Sequence, residues 1–142
     1  MHWPVTIEIR VPWRDLDGAG HLNNAVMFSY LEAARVDAYY RAKGFEPEKL
    51  AKLPIDDIDI ILARASCEFR SPAGMGELLE VATWPKHVGM TSFTLAYKVT
   101  EKTTGRLVAE GESVQVCFDY AGQRKKAMPE SLRAALTAGV AP

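Results

Sequence analysis

Val5, Ile7, Ile9 and Val11 alternate with Thr6, Glu8 and Arg10, the period of a strand with one buried and one wet face, and Pro12 helps end it. The pattern then changes. Residues 25 to 43 contain neither Gly nor Pro, Asn23 or Asn24 can cap their start, and Gly44 stands just past Lys43 as a stop, so they predict one long helix. Met27, Leu31, Ala34 and Ala38 make one stripe on it, while Phe28, Val36, Tyr39 and Tyr40 lie elsewhere around the cylinder. Such a helix is expected to be covered on several sides.

Pro47, Pro54 and several charges read residues 45 to 58 as an irregular connection with a short helix around Glu46 to Lys52. Four strand signals follow with no helix between them. In the first, Ile61, Ala63, Ala65, Cys67 and Phe69 alternate with Arg64, Ser66, Glu68 and Arg70, and Pro72-Ala73-Gly74-Met75-Gly76 turns the chain. The second runs from about Glu77 to Lys86. The third sets Phe93, Leu95, Tyr97 and Val99 against Thr94, Lys98 and Thr100, and Thr103-Thr104-Gly105 turns into the fourth, roughly Arg106 to Asp119. Pro129 to Thr137 predicts a short terminal helix. With no repeat or linker, residues 1 to 142 read as one domain. The order, strand, long helix, then four mostly antiparallel strands, is an α+β plan in which a curved five-stranded sheet wraps its one long helix.

A chain of 142 residues at 48% hydrophobic and 25% charged has the bulk for a single core. Its net charge of -1 offers no global attraction to nucleic acid or anionic membrane. No apolar run near Val5 to Val11 is long enough for a signal peptide or a membrane span, so a cytoplasmic location is the expectation. Cys67 and Cys117 lack the short paired spacing of zinc or redox motifs and read as core filler. His2, His21 and His87 are far apart, so no metal site is expected, and Asp56, Asp57 and Asp59 read as solvated turn residues.

The chemistry concentrates in Arg14-Asp15-Leu16-Asp17-Gly18-Ala19-Gly20-His21-Leu22-Asn23-Asn24, where carboxylates occupy a glycine-rich loop directly before the helix. The first N–H groups of a helix lack partners and sit at the positive end of its dipole, so they can hold an oxyanion while a nearby carboxylate attacks or activates water. That points to acyl transfer to water. Asp15 reads as structural, and His21 as a hydrogen-bond partner that orders the loop rather than a proton shuttle. Glu32 is expected to pair with Arg35 at i+3.

Asp15-x-Asp17-x-x-Gly20-His21-x-Asn23-Asn24, continued by Tyr30-x-Glu32-x-Ala34-Arg35, resembles the signature of hotdog-fold acyl-CoA thioesterases, in particular the 4-hydroxybenzoyl-CoA thioesterase-like group. The segments Phe118-Asp119-Tyr120 and Ala127-Met128-Pro129-Glu130 resemble the end of that family's last strand and its exit. The resemblance implies that Asp17 is the catalytic carboxylate, as nucleophile or base. It implies that the backbone N–H of Asn24 polarises the thioester carbonyl and that Gly20 permits close backbone approach. Many members carry Tyr at the position of Met27, which here implies a more apolar acyl pocket, and the Asn pair looks like the subgroup acting on fatty or aryl chains.

If the substrate carries coenzyme A, its phosphates need cations, for which Lys86 and Arg124 are candidates, while Thr91 and Ser92 are candidates for touching pantetheine or ordering the site. Coenzyme A would enter as part of the substrate, with no separate cofactor. The family's domains pair edge to edge, so a homo-oligomer, dimer or tetramer, is expected, with acyl sites at the protomer boundary. Acyl carrier protein as the thioester's carrier, an enoyl-thioester hydratase or dehydratase, and a non-catalytic acyl-thioester binding module are the alternatives.

Overall fold

In the computed structural model, which describes residues 1–46, 48 and 58–142, the alternating segment forms strand β1, Val5–Arg10. A short 3-10 turn, Trp13–Asp15, leads to the Asp17 loop and then to helix α1, Asn24–Ala42. Asn23 caps α1, its side-chain oxygen accepting the Ala25 N–H at 2.8 Å, and Gly44 ends it at φ +94. Strands β2 (Ile60–Phe69), β3 (Leu78–Val88), β4 (Ser92–Glu101) and β5 (Leu107–Asp119) follow. The sheet order is β1-β3-β4-β5-β2, with every paired strand antiparallel.

The expected five strands gain a sixth, the two-residue β6, Arg124–Lys125, which folds back on the end of β5. Its turn is set by Asp119, whose Oδ1 accepts the Ala121 and Gly122 N–H groups. Pro129 then starts α2, Glu130–Thr137, which buries Leu132 and Leu136.

One face of the sheet, with Leu79, Val81, Phe93, Leu95, Tyr97, Val99 and Ala109, meets Met27, Leu31, Ala34 and Ala38 of α1 in the core. Gly111 on β5 permits this approach. A Cβ there would lie 2.5 Å from the Ser66 carbonyl oxygen and 3.3 Å from Leu31 Cδ1.

Several expectations change. Helix α1 is covered beyond its main stripe, with Tyr39 and Tyr40 buried as well, but Phe28 and Val36 remain 37% and 42% exposed. Strand β2 ends one path of the sheet, and its apolar Ile61, Leu62 and Phe69 all remain 40% exposed or more. Hence Cys67 on β2 is only partly buried, whereas Cys117 on β5 is core. Asp59 is no solvated turn residue, because it takes hydrogen bonds from Tyr39 and, at 2.8 Å, from Lys126. Asp56, Asp57 and most of the expected Glu46 to Lys52 helix lie outside the described residues.

Candidate active site

The Asp17 loop is a tight reversal closed by its own backbone. Leu16 and Leu22 face each other as an antiparallel bridge, Asp17 N–H donates to the His21 carbonyl at 2.8 Å, and Gly20 N–H donates to the Asp17 carbonyl at 3.0 Å. Gly20 takes φ +80, which L side chains rarely adopt, and no heavy atom lies within 4 Å of where a Cβ would be. The backbone there is open to approach.

Asp17 itself is exposed, with Oδ1 accepting the Ala19 N–H at 2.9 Å and the His21 N–H at 3.4 Å. Oδ2 has no partner among the described residues. The carboxylate is thus held from one side by loop amides and free on the other. His21 orders the loop through its backbone, as its N–H and carbonyl both meet Asp17, rather than through its imidazole.

Asp15 ties this loop to the helix. Its Oδ2 accepts the Tyr30 hydroxyl at 2.6 Å, and its carbonyl accepts the Asn23 N–H at 2.9 Å. Burial, then the hydrogen bond and charge of Asp15, push the Tyr30 pKa well above its usual value of 10.0, so the hydroxyl stays a donor. Asn23 spends its cap on Ala25, which leaves the Asn24 N–H without an acceptor among the described residues.

Asp17, His21, Asn24 and Met27 line one cleft of about 350 Å³. Leu22, Met27, Ala73 and Val108, all nearly inaccessible, form its apolar part, and Phe69, Arg70, Ser71 and Pro72 complete the wall. The Leu22 N–H clamps the two sides by donating to the Ala73 carbonyl at 2.7 Å. Residues 69 to 73 and Val108 escaped the sequence reading, in which Pro72-Ala73 was only a turn; they arrive through the β2–β5 pairing that sets Phe69 opposite Ala109. Glu32 and Arg35 do meet, at 3.4 Å, with the arginine buried and the carboxylate exposed.

Four candidates lie elsewhere in the chain. Lys86 on β3 pairs with Glu112 in a separate groove beside Trp84. Arg124 sits on β6, 3.9 Å from Asp119. Thr91 gives its carbonyl to the Cys117 N–H at 2.7 Å, and Ser92 begins β4 opposite Val116. None of the four lines the Asp17 cleft. Among the described residues no three His, Cys, Asp or Glu side chains gather as metal ligands, and no helix is long and apolar enough to cross a membrane.

What this arrangement can do is hold an electrophilic carbon between a carboxylate oxygen and an unsatisfied amide at the positive end of a helix. Residues 11–136 match the model of the thioesterase-like superfamily. The chain is 26% identical over 126 residues to the long-chain acyl-CoA thioesterase FadM of Escherichia coli strain K12, covering 89% of this chain and 92% of the relative. It is 28% identical over 128 residues to a 1,4-dihydroxy-2-naphthoyl-CoA hydrolase of Synechococcus, with 89% and 95% covered. Among solved structures it is similar to a thioesterase of Thermus thermophilus complexed with coenzyme A and Zn, with a TM-score of 0.78, 28% identity, and 94% and 92% of the two chains covered.

Proposed function

The chain belongs to the thioesterase-like superfamily, and from that premise we propose that it hydrolyses acyl-CoA thioesters at the Asp17 cleft. The observation that carries the reading is the juxtaposition of the half-free Asp17 carboxylate and the Asn24 amide in one cleft with an apolar floor. The relatives named as acyl-CoA and naphthoyl-CoA hydrolases support it.

In the base route Asp17 takes a proton from water as the oxygen adds to the thioester carbon. The negative charge moves to the carbonyl oxygen, where the Asn24 N–H meets it, and collapse breaks the C–S bond and expels thiolate. In the nucleophilic route Asp17 bonds to the carbon itself, thiolate leaves, and water hydrolyses the mixed anhydride. Such a site suffices because the leaving thiol has a pKa of roughly 8.5 and needs little help from a general acid. Labelled oxygen from heavy-oxygen water appears in the Asp17 carboxylate after a single turnover only by the second route.

The acyl group would lie on Leu22, Met27, Ala73 and Val108, a lining suited to a fatty or aryl chain. A second copy of the chain is part of the proposal. Strand β2 leaves one edge unpaired among the described residues, Phe28 and Val36 of α1 remain exposed, and the Phe28 ring packs edge-on against Phe69 of β2 at 6.5 Å. Phe69 belongs to the cleft as well, so this seam would put the acyl site at the protomer boundary. A cytoplasmic setting goes with coenzyme A thioesters as substrates.

The test is thiol release from a panel of straight-chain and aryl acyl-CoAs, followed with a thiol reagent. Steady release that is lost in Asp17→Ala supports hydrolysis. Binding without release indicates a binding module, and loss of enoyl absorbance without thiol release indicates a hydratase; either result overturns the proposal.

A further inference from the structure

Trp13 is 77% accessible, the most exposed large apolar side chain among the described residues. It is not on a loose loop. The Asp15 N–H donates to the Pro12 carbonyl at 3.1 Å and the Leu16 N–H to the Trp13 carbonyl at 3.2 Å, and Asp15 is anchored to Tyr30, so the indole is carried on a fixed turn. An aromatic ring presented that way offers stacking area with little ordering cost.

The turn shares a hydrogen-bonded frame with the Asp17 cleft. Gly76 N–H donates to the Val11 carbonyl at 2.8 Å, and Arg10 Nη1 donates to the Gly76 carbonyl at 2.7 Å. These bonds hold the segment from Pro72 to Gly76, which walls the cleft at Pro72 and Ala73, against the chain just before Trp13. Met75, 62% exposed, lies on that segment. Arg14 follows Trp13 with its side chain 83% exposed and only a 3.9 Å contact to Asp15. Trp13 and Arg14 do not line the cleft itself, but this turn, tied to its frame, offers a flat ring and an exposed guanidinium.

We infer that this turn beside the Asp17 loop is the binding site for the nucleotide end of coenzyme A: the adenine stacks on Trp13 and Arg14 meets phosphate oxygens. The inference rests on the acyl-CoA reading above and deepens it by choosing coenzyme A over acyl carrier protein, whose pantetheine arm carries no purine. Stacking suits Trp13 because every base has a π-face, and the planar guanidinium suits phosphate. The reach is adequate. Asp17 follows Trp13 by four positions, at most about 14 Å of chain, which the pantetheine and diphosphate arm can span.

The test compares the same acyl group on coenzyme A and on pantetheine, with wild type, Trp13→Ala and Trp13→Phe. Trp13→Ala raises KM for the coenzyme A thioester about tenfold, the scale of one base–aromatic stack, with kcat unchanged and with no change for the pantetheine thioester. Trp13→Phe restores most of the loss. Equal effects on both thioesters, or none on either, overturn the inference. A second readout needs no turnover: calorimetric titration with the adenosine bisphosphate that forms the nucleotide end of coenzyme A. Wild type binds it more tightly than Trp13→Ala; equal or absent binding overturns the inference. Should no thioester release thiol, the hydrolytic reading falls while this titration still decides the nucleotide site.

Discussion

Replacing Tyr30 with Phe tests whether the loop and the helix start are held as one unit. The ring stays and fills the same space, but the hydroxyl that donates to Asp15 Oδ2 at 2.6 Å is gone, from a residue only 6% accessible. A hydrogen bond to a charged group contributes about 1.5–3 kcal/mol. For 142 residues the unfolding entropy near the melting temperature is about 0.3 kcal/mol/K, so Tyr30→Phe lowers Tm by about 5 to 10 °C. Activity falls too, because Asp15 also accepts the Asn23 N–H and so sets Asp17 against the helix tip; misplacing reacting groups by roughly 1 Å costs on the order of 100-fold. The pH dependence carries a sign. The folded pKa of Tyr30 is raised above 10.0, so its contribution is complete below pH 10 and is lost as pH rises beyond it, when the unfolded chain ionises and the folded one does not. The gap between wild type and Tyr30→Phe is therefore flat up to pH 10 and narrows above. Thermal melts at fixed protein concentration and thiol-release kinetics measure both effects. A variant that melts with wild type and turns over at its rate would refute the claim that this bond holds the site.

Asn23→Ala removes the helix cap and costs about 1 kcal/mol, roughly 3 °C in Tm, and kcat/KM drops with it as the first turn frays. Glu101 accepts hydrogen bonds from the Thr104 hydroxyl and from the Thr104 and Thr103 amides, which hold its pKa down at about 2 from 4.5. That contribution is present above pH 4.5 and disappears as pH falls through about 2, so stability measured across this range declines more steeply in wild type than in Glu101→Gln. Val36→Glu or Phe28→Glu puts a carboxylate into the proposed seam and shifts the sedimentation mass down toward 15.7 kDa; a wild type already at that mass at micromolar concentration refutes the seam.

The parts of this protein governed by short-range rules were readable from its sequence. Period-two runs gave the main strands, and Asn23 and Gly44 bracketed α1 to within a residue because capping is local chemistry. The same locality put Asp17 and Asn24 in one cleft, since seven residues of tight loop cannot carry them far apart. What depended on strand order was not readable. Alternation in β2 is the same whether its apolar face is covered or bare, so Ile61 and Phe69 gave no sign of lying at an edge. The cleft wall at Arg70 to Ala73 and Val108 required knowing that β2 pairs with β5. Charge makes Lys86 and Arg124 candidates but does not say which face a residue occupies; each meets a carboxylate away from the cleft.

The central claim is that one carboxylate oxygen of Asp17 performs the chemistry, and Asp17→Asn tests it most directly. The amide oxygen can still accept the Ala19 and His21 N–H bonds, so the loop keeps its shape while the base or nucleophile is removed. With Tm and sedimentation mass unchanged, the account predicts that kcat for acyl-CoA hydrolysis falls about 100- to 10,000-fold. An Asp17→Asn enzyme that is folded, assembled as wild type and still turns over at the wild-type rate would contradict it.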